Sequence, residues 1–197
     1  MDKKLRWHRL SAQKITADSK ADLRSPDRPA GQWEKLLCGQ GSPTQHIRDV
    51  TGGKLGIELI DMSVAQSDGS EPSLVRELPA PHLLRQVWGL SHEGERLFYA
   101  ASWWEASKAE LYLPHPTQPI WENLASIRSI LHRRIMAIHR GECPFLEHGF
   151  GHQGPFWGRD YGFWHGDNLV AVIYEVFSPA LARHWESKST VVSASQP

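Results

Sequence analysis

The chain has 197 residues, with 22 Lys plus Arg set against 22 Asp plus Glu. That length predicts one domain, large enough to bury about 70% of its unfolded surface without help from disulfides or metal. A formal net charge of zero argues against a protein that grips nucleic-acid backbones and against a polybasic membrane anchor, because both concentrate positive charge.

The first residues, Met1-Asp2-Lys3-Lys4-Leu5-Arg6-Trp7-His8, carry positive charge but no following apolar run, so they do not read as a secretory signal. Residues 11–31 are polar and hold Pro26, Pro29 and Gly31; residues 1–31 together read as a loosely ordered lead-in. Gln32–Cys38 has Trp33, Leu36 and Leu37 at helical spacing. Gly39-Gln40-Gly41 interrupts it. Ser42 then offers an N-cap with Pro43 at the first helical position, predicting a second helix to about Val50 that stops near Gly52-Gly53. No basic recognition face follows this helix pair, which argues against a DNA-binding role.

Strand patterns come next. Lys54–Met62 reads as half-buried, with Leu55, Ile57 and Leu59 on one face. Residues 65–81 read as a polar loop. Leu83–Leu90 and Arg96–Trp103 flank a short polar turn and predict a hairpin. Residues 104–116 are mixed, and Pro119–Ile127 looks helical. Arg128–Arg140 is ambiguous, with a strand favoured from Ile135. Residues 141–154 are Gly-rich with a short helical piece. Phe156–His165, a Gly166-Asp167-Asn168 turn and Leu169–Ser178 form the clearest hairpin, and 189–197 reads as a disordered tail. The sum is an α+β fold: a single antiparallel sheet of about six strands with short helices packed on it, spanning residues 32–188. The most apolar run, Leu169–Phe177, contains Glu175 and is far shorter than the roughly 20 residues of a membrane-spanning helix. With only Cys38 and Cys143 in the chain, a reduced cytoplasmic setting is expected.

Several side chains sit where the pattern does not want them. Glu175 lies in a strand that is apolar on both faces. It is either an acid paired with a structural arginine or a pocket group that acts as acid, base or orienter. Arg85 lies between Leu83 and Val87 on one face of its strand, and either pairs with a buried carboxylate or holds an anionic ligand. Arg159 shares a face with Trp157, Tyr161 and Phe163. The nine tryptophans need buried or ligand-facing homes. Together these suggest a Trp-lined pocket with two buried basic groups and one buried carboxylate. His148 and His152 are spaced HxxxH with Cys143 upstream, but Gly149, Gly151 and Gly154 disfavour a ligating helix, and neither HExxH nor CxxC occurs, so no metal is expected. His132 and His139 read as surface or partly buried. Nucleophile-elbow, phosphate-loop and dinucleotide motifs are absent.

In order along the chain stand Trp33-Glu34-Lys35-Leu36-Leu37, Gly41-Ser42-Pro43-Thr44-Gln45-His46-Ile47, Leu84-Arg85-Gln86-Val87-Trp88 and Tyr99-Ala100-Ala101-Ser102-Trp103-Trp104. Pro119-Ile120-Trp121, Gly154-Pro155-Phe156-Trp157-Gly158-Arg159 and Ile173-Tyr174-Glu175-Val176-Phe177-Ser178-Pro179 follow. Through these segments the chain resembles the chorismate pyruvate-lyase family, in the branch of oxygenic photosynthetic lineages, over about three-quarters of its length. The resemblance implies a cofactor-independent enzyme. It would convert chorismate to 4-hydroxybenzoate and pyruvate for a quinone head group (plastoquinone, or ubiquinone in other lineages), with the ligand buried under helical flaps and the product inhibitory. It implies that Arg85 grips the ring carboxylate, that Glu175 stands near the ring hydroxyl, and that Ile120 and Pro43 touch the ligand from the flaps. Pro43 replaces a methionine of the best-known branch and has no N–H to donate. Arg159 and Arg133 lie in family-like segments and would complete the anion site. A monomer with no nucleic-acid or membrane partner is expected. The alternative is a non-catalytic, aromatic-acid-sensing domain of the same fold.

Overall fold

The computed structural model describes residues 8–16, 29–39, 41–126 and 131–186. Seven strands form one antiparallel sheet: β1 (Ser11–Thr16), β2 (Gly56–Val64), β3 (His82–Leu90), β4 (Arg96–Glu105), β5 (Leu131–Glu142), β6 (Phe156–His165) and β7 (Asn168–Phe177). Their spatial order is β1-β5-β6-β7-β4-β3-β2. Two meanders, β2–β3–β4 and β5–β6–β7, therefore meet at a β4–β7 seam that pairs Phe98 with Phe177 and Trp104 with Ala171. The central strands are the apolar ones: β3, β4, β6 and β7 are buried along most of their length.

The two short helices expected near the start are both present. α1 (Gln32–Cys38) buries Leu36 and Leu37. α2 (Pro43–Thr51) has Ser42 as N-cap, whose hydroxyl accepts from the Gln45 N–H, and ends on Gly52 at φ 69°. A left-handed residue is the usual way for the last turn to close, and glycine adopts it without a Cβ clash. α3 (Ala109–Tyr112) and α4 (Ile120–Ser126) fill the β4–β5 connection, and α5 (Pro144–Phe150) joins β5 to β6.

Three elements differ from the sequence reading. Within the expected lead-in, Ser11–Thr16 is a strand that pairs with β5 and raises the sheet to seven strands. Its sequence lacks apolar alternation; an edge strand needs little of it, because backbone pairing to a formed neighbour supplies the contact. The ambiguous segment is strand throughout residues 131–142. A register shift between Ile135 and Ala137 inserts an extra residue, which breaks the two-residue period and makes the pattern look helical. The expected polar loop contains a 3₁₀ turn, Ser73–Glu77, whose Leu74 and Val75 join Leu78 in the core. The tail expected at 189–197 lies outside the described residues.

Apolar packing covers both faces of the sheet, as the two-sided β7 pattern requires. On one face Trp88, Tyr99, Trp103, Phe150, Phe156 and Tyr174 pack under α5 and the 3₁₀ turn. On the other, Val87, Phe98, Ala100 and Phe177 pack against α1 and α2. Among the described residues no helix is long and apolar enough to cross a membrane.

Candidate functional site

Strand register brings the site together. In one row across the sheet Arg85 pairs with Ser102, Ser102 with Ile173, and Ile173 with Tyr161. In the next row on the same face Val87 pairs with Ala100, Ala100 with Glu175, and Glu175 with Arg159. The middle strand contributes small side chains, Ala100 and Ser102, between large ones on β3 and β7. That gap leaves a slot, with Arg85 and Glu175 two strand spacings and one row apart, or about 12 Å between their backbones.

The slot is lined by Arg85, Val87, Phe98, Ala100, Tyr161, Phe163 and Glu175 from the sheet and Ile57 from β2. Pro43 and Thr44 of α2 cover one side, and Pro119, Ile120 and Trp121 at the start of α4 cover the other. Its envelope is about 420 Å³, but only about 30 Å³ admits a water-sized sphere. The space is narrow, so anything much larger than a water requires the flaps to part. An ion pair between Arg48 of α2 and Glu122 of α4 joins the two flaps.

Arg85 is buried. Its Nε and Nη2 donate to the carbonyls of Pro116 (2.8 Å) and Gln118 (2.9 Å) in the segment leading into α4. A guanidinium has five N–H donors, so the others remain for a ligand. Among the described residues no carboxylate pairs with it, which removes the salt-bridge alternative. Burial pushes its pKa down to about 10, leaving it a cation at neutral pH.

Glu175 is held from behind. Arg159 donates through Nε and Nη2 to Oε2, each at 3.1 Å, and the Tyr161 hydroxyl donates to Oε1 at 2.7 Å. A carboxylate offers about four lone-pair sites, so one on Oε1 stays unfilled. Burial first, and the adjacent Glu175 charge second, push the Tyr161 phenol well above its ordinary range; it stays a hydrogen-bond donor. The other end of Arg159 donates to the carbonyls of Leu36 (2.7 Å) and Leu37 (3.1 Å), near the end of α1. Arg133 reaches over the Tyr161 ring, 5.2 Å from its centroid, and donates to the carbonyls of Gly39 and Gly41 in the α1–α2 turn. Its Nε is buried without a partner, and burial, then repulsion from Arg159, lowers its pKa.

Of the six site residues proposed from sequence, Arg85, Glu175, Ile120 and Pro43 line the slot together. Arg159 stands behind Glu175, and Arg133 stands above Tyr161, both outside the lining. Tyr161 is the contributor that sequence reading passed over. Counting register straight back from the Gly166–Asp167 turn pairs Arg159 with Tyr174; a register shift between Phe163 and Trp164 moves Arg159 opposite Glu175, with Tyr161 on the same face, so the pairing was not legible from the turn alone. The Trp-lined pocket is not what forms: Trp121 is the one tryptophan of the lining, while Trp88, Trp103 and Trp104 are core residues. A helix does form around His148, ending at Gly151, yet among the described residues no three His, Cys, Asp or Glu side chains gather as a metal site.

The α+β fold thus builds a slot under two helical flaps, with buried Arg85 on one side and a carboxylate held by Arg159 and Tyr161 on the other. A family model described as chorismate pyruvate-lyase Rv2949c-like matches residues 37–185, and the chain belongs to that family. The uncharacterized protein ycf21 of Cyanophora paradoxa is 31% identical over 150 residues, 76% of this chain and 78% of that protein. The ycf21 protein of Pyropia yezoensis is 30% identical over 149 residues, 76% of this chain and 82% of that one. Among solved structures, the C-terminal domain of a histidine utilization repressor from Pseudomonas syringae aligns with a TM-score of 0.49 at 11% identity, covering 64% of this chain and 93% of that domain.

Proposed function

We propose that this chain is a chorismate pyruvate-lyase, releasing 4-hydroxybenzoate and pyruvate from chorismate. The observation that carries this reading is the pairing of Arg85 and Glu175 across an aromatic slot. A cation and a hydrogen-bond acceptor two strands apart complement a flat ring with a carboxylate at one end and a hydroxyl at the other. Family membership supports the same substrate class. The algal relatives fit a product that serves as a plastoquinone head-group precursor.

In this reading the unspent N–H groups of Arg85 hold the ring carboxylate. The open lone pair on Glu175 Oε1 accepts the ring hydroxyl, so Glu175 orients the ring. Arg159 and Tyr161 act as positioning residues that hold the carboxylate still. Arg133, with its unpartnered Nε, supplies the cation for the enolpyruvyl carboxylate. The ring C–H next to the departing oxygen breaks as the C–O bond to the enolpyruvyl group breaks. Its electron pair completes the aromatic ring, and the proton ends on the methyl group of pyruvate. Aromatisation drives the reaction, so the protein's contribution is alignment and charge placement in a closed, water-poor slot. Flap opening then limits product escape.

The test is turnover of chorismate by the purified protein without added metal or cofactor, with both products followed by chromatography. Equal amounts of pyruvate and 4-hydroxybenzoate are expected, with Arg85→Met raising KM and Glu175→Ala lowering kcat. Tight binding of 4-hydroxybenzoate with no turnover would overturn the enzyme reading in favour of a sensing domain. Normal turnover by both variants would overturn the site.

A further inference from the structure

The opposite face of the sheet carries a second arrangement that the proposed chemistry does not use. His139 of β5 and Asp160 of β6 are both buried there and bonded through His139 Nε2 and Asp160 Oδ1. The sequence reading has His139 at the surface or partly buried; it is fully buried because β5 turns it toward Asp160 on the covered face. Buried ionisable pairs are costly to desolvate and need a reason to persist. This pair lies at the floor of a cavity of about 230 Å³, whose rim includes Arg9, Ser73 and Arg76. That is space for a small molecule rather than a single water.

The cavity sets a carboxylate at its floor and two guanidinium groups at its rim, beside the Glu71 carboxylate. The Asp160 carboxylate engages His139 Nε2 through Oδ1, and a carboxylate has further lone pairs to accept with. The floor thus presents acceptors. The rim presents donors: among the described residues neither Arg9 nor Arg76 pairs with a carboxylate. Arg9 makes one long contact, 3.4 Å, to the Ser70 carbonyl. Glu71 on the same rim bonds to Ser67 instead. Guanidinium groups without a carboxylate partner, set around a cavity with a carboxylate at its floor, mark a place for a polar ligand.

We propose that this cavity is a second binding site, for a small hydroxycarboxylate. Its carboxylate is held by Arg9 and Arg76 at the rim, and its hydroxyl donates to the Asp160 carboxylate at the floor. The site lies on the far side of the sheet from the slot. β7 links the two, because Tyr174, which lines this cavity, is the chain neighbour of Glu175, which lines the slot. Both sites are therefore open to occupation at once.

Sodium L-lactate and sodium propionate, matched in size and differing by one hydroxyl, serve as probes in NMR titrations of the full chain that follow the assigned His139 ring signals. Lactate is expected to shift those signals saturably and to bind at least about tenfold more tightly than propionate. Arg76→Ala, a change at an exposed residue, is expected to weaken lactate binding about tenfold. Arg85→Met is expected to leave it unchanged, which separates this site from the slot whether or not the chain proves to be a lyase. Unmoved His139 signals, equal affinity for the two probes, unchanged lactate affinity in Arg76→Ala, or loss of lactate binding in Arg85→Met would each overturn the proposal.

Discussion

Replacing Arg159 by Met removes a side chain with no solvent exposure that spends four donor contacts on its surroundings. Two of these go to Glu175 and two to the carbonyls of Leu36 and Leu37. The variant leaves a buried carboxylate with Tyr161 as its remaining donor, and breaking such a pair from one side costs about 3–5 kcal/mol. For a protein of this size that corresponds to a fall in Tm of about 6–20 °C. Removing the charge on both sides is different. In Arg159→Met/Glu175→Gln the amide still bonds to Tyr161 and no ion is left buried, so the double variant is expected to recover at least about 2 kcal/mol relative to Arg159→Met. Urea and thermal melts of wild type, both single variants and the double variant close the cycle. Additive losses, or an Arg159→Met variant within about 1 kcal/mol of wild type, would refute the view that Arg159 exists to neutralise and fix Glu175.

Three further outcomes follow from the slot. The Arg48–Glu122 pair is partly exposed on both sides, so Glu122→Gln should speed dissociation of 4-hydroxybenzoate by at most about fivefold, and added salt should mimic part of it; stopped-flow fluorescence showing neither change would remove the pair from the exit route. Because Arg85 titrates at about 10 and binds as the cation, benzoate affinity should stay flat from about pH 6 to 9 and fall as pH rises through about 10; calorimetry should find no such fall in Arg85→Met. A Cβ on Gly89 would lie 2.0 Å from Phe98 Cε1, so Gly89→Ala should push the Phe98 ring into the slot, weaken benzoate binding and cost about 1–3 kcal/mol in a denaturation curve.

The sequence made the strongly periodic elements legible and hid those whose stability comes from neighbours. β3, β4, β6 and β7 carry strongly apolar runs broken by few polar residues, and α2 carries its Ser-Pro start and Gly stop, so local chemistry sufficed. β1 is polar and exists because β5 offers it an edge. In β5 the extra residue near Met136 disguised the period. For the site, Arg85 and Glu175 stood out because charge in an apolar strand is conspicuous. Choosing between partner and ligand for each needed the third dimension: Glu175 has its arginine directly across the hairpin, whereas Arg85 faces only loop carbonyls. Tyr161 was invisible for the opposite reason, since a tyrosine in an aromatic strand looks like ordinary core.

The seam between β4 and β7 has a consequence for how the chain becomes functional. Each meander is local in sequence, but the seam joins residues 96–105 to residues 168–177, and such distant closures are slow because their entropy cost comes before their contacts. Arg85 belongs to one meander, and Glu175 and Tyr161 to the other, so neither half holds a site by itself. Competence to bind is acquired in a single late event. By mass action, any ligand of the slot draws the equilibrium toward the closed seam. Occupancy of the slot is in that sense a proofreading signal for the fold, readable only in chains whose two halves have met in register.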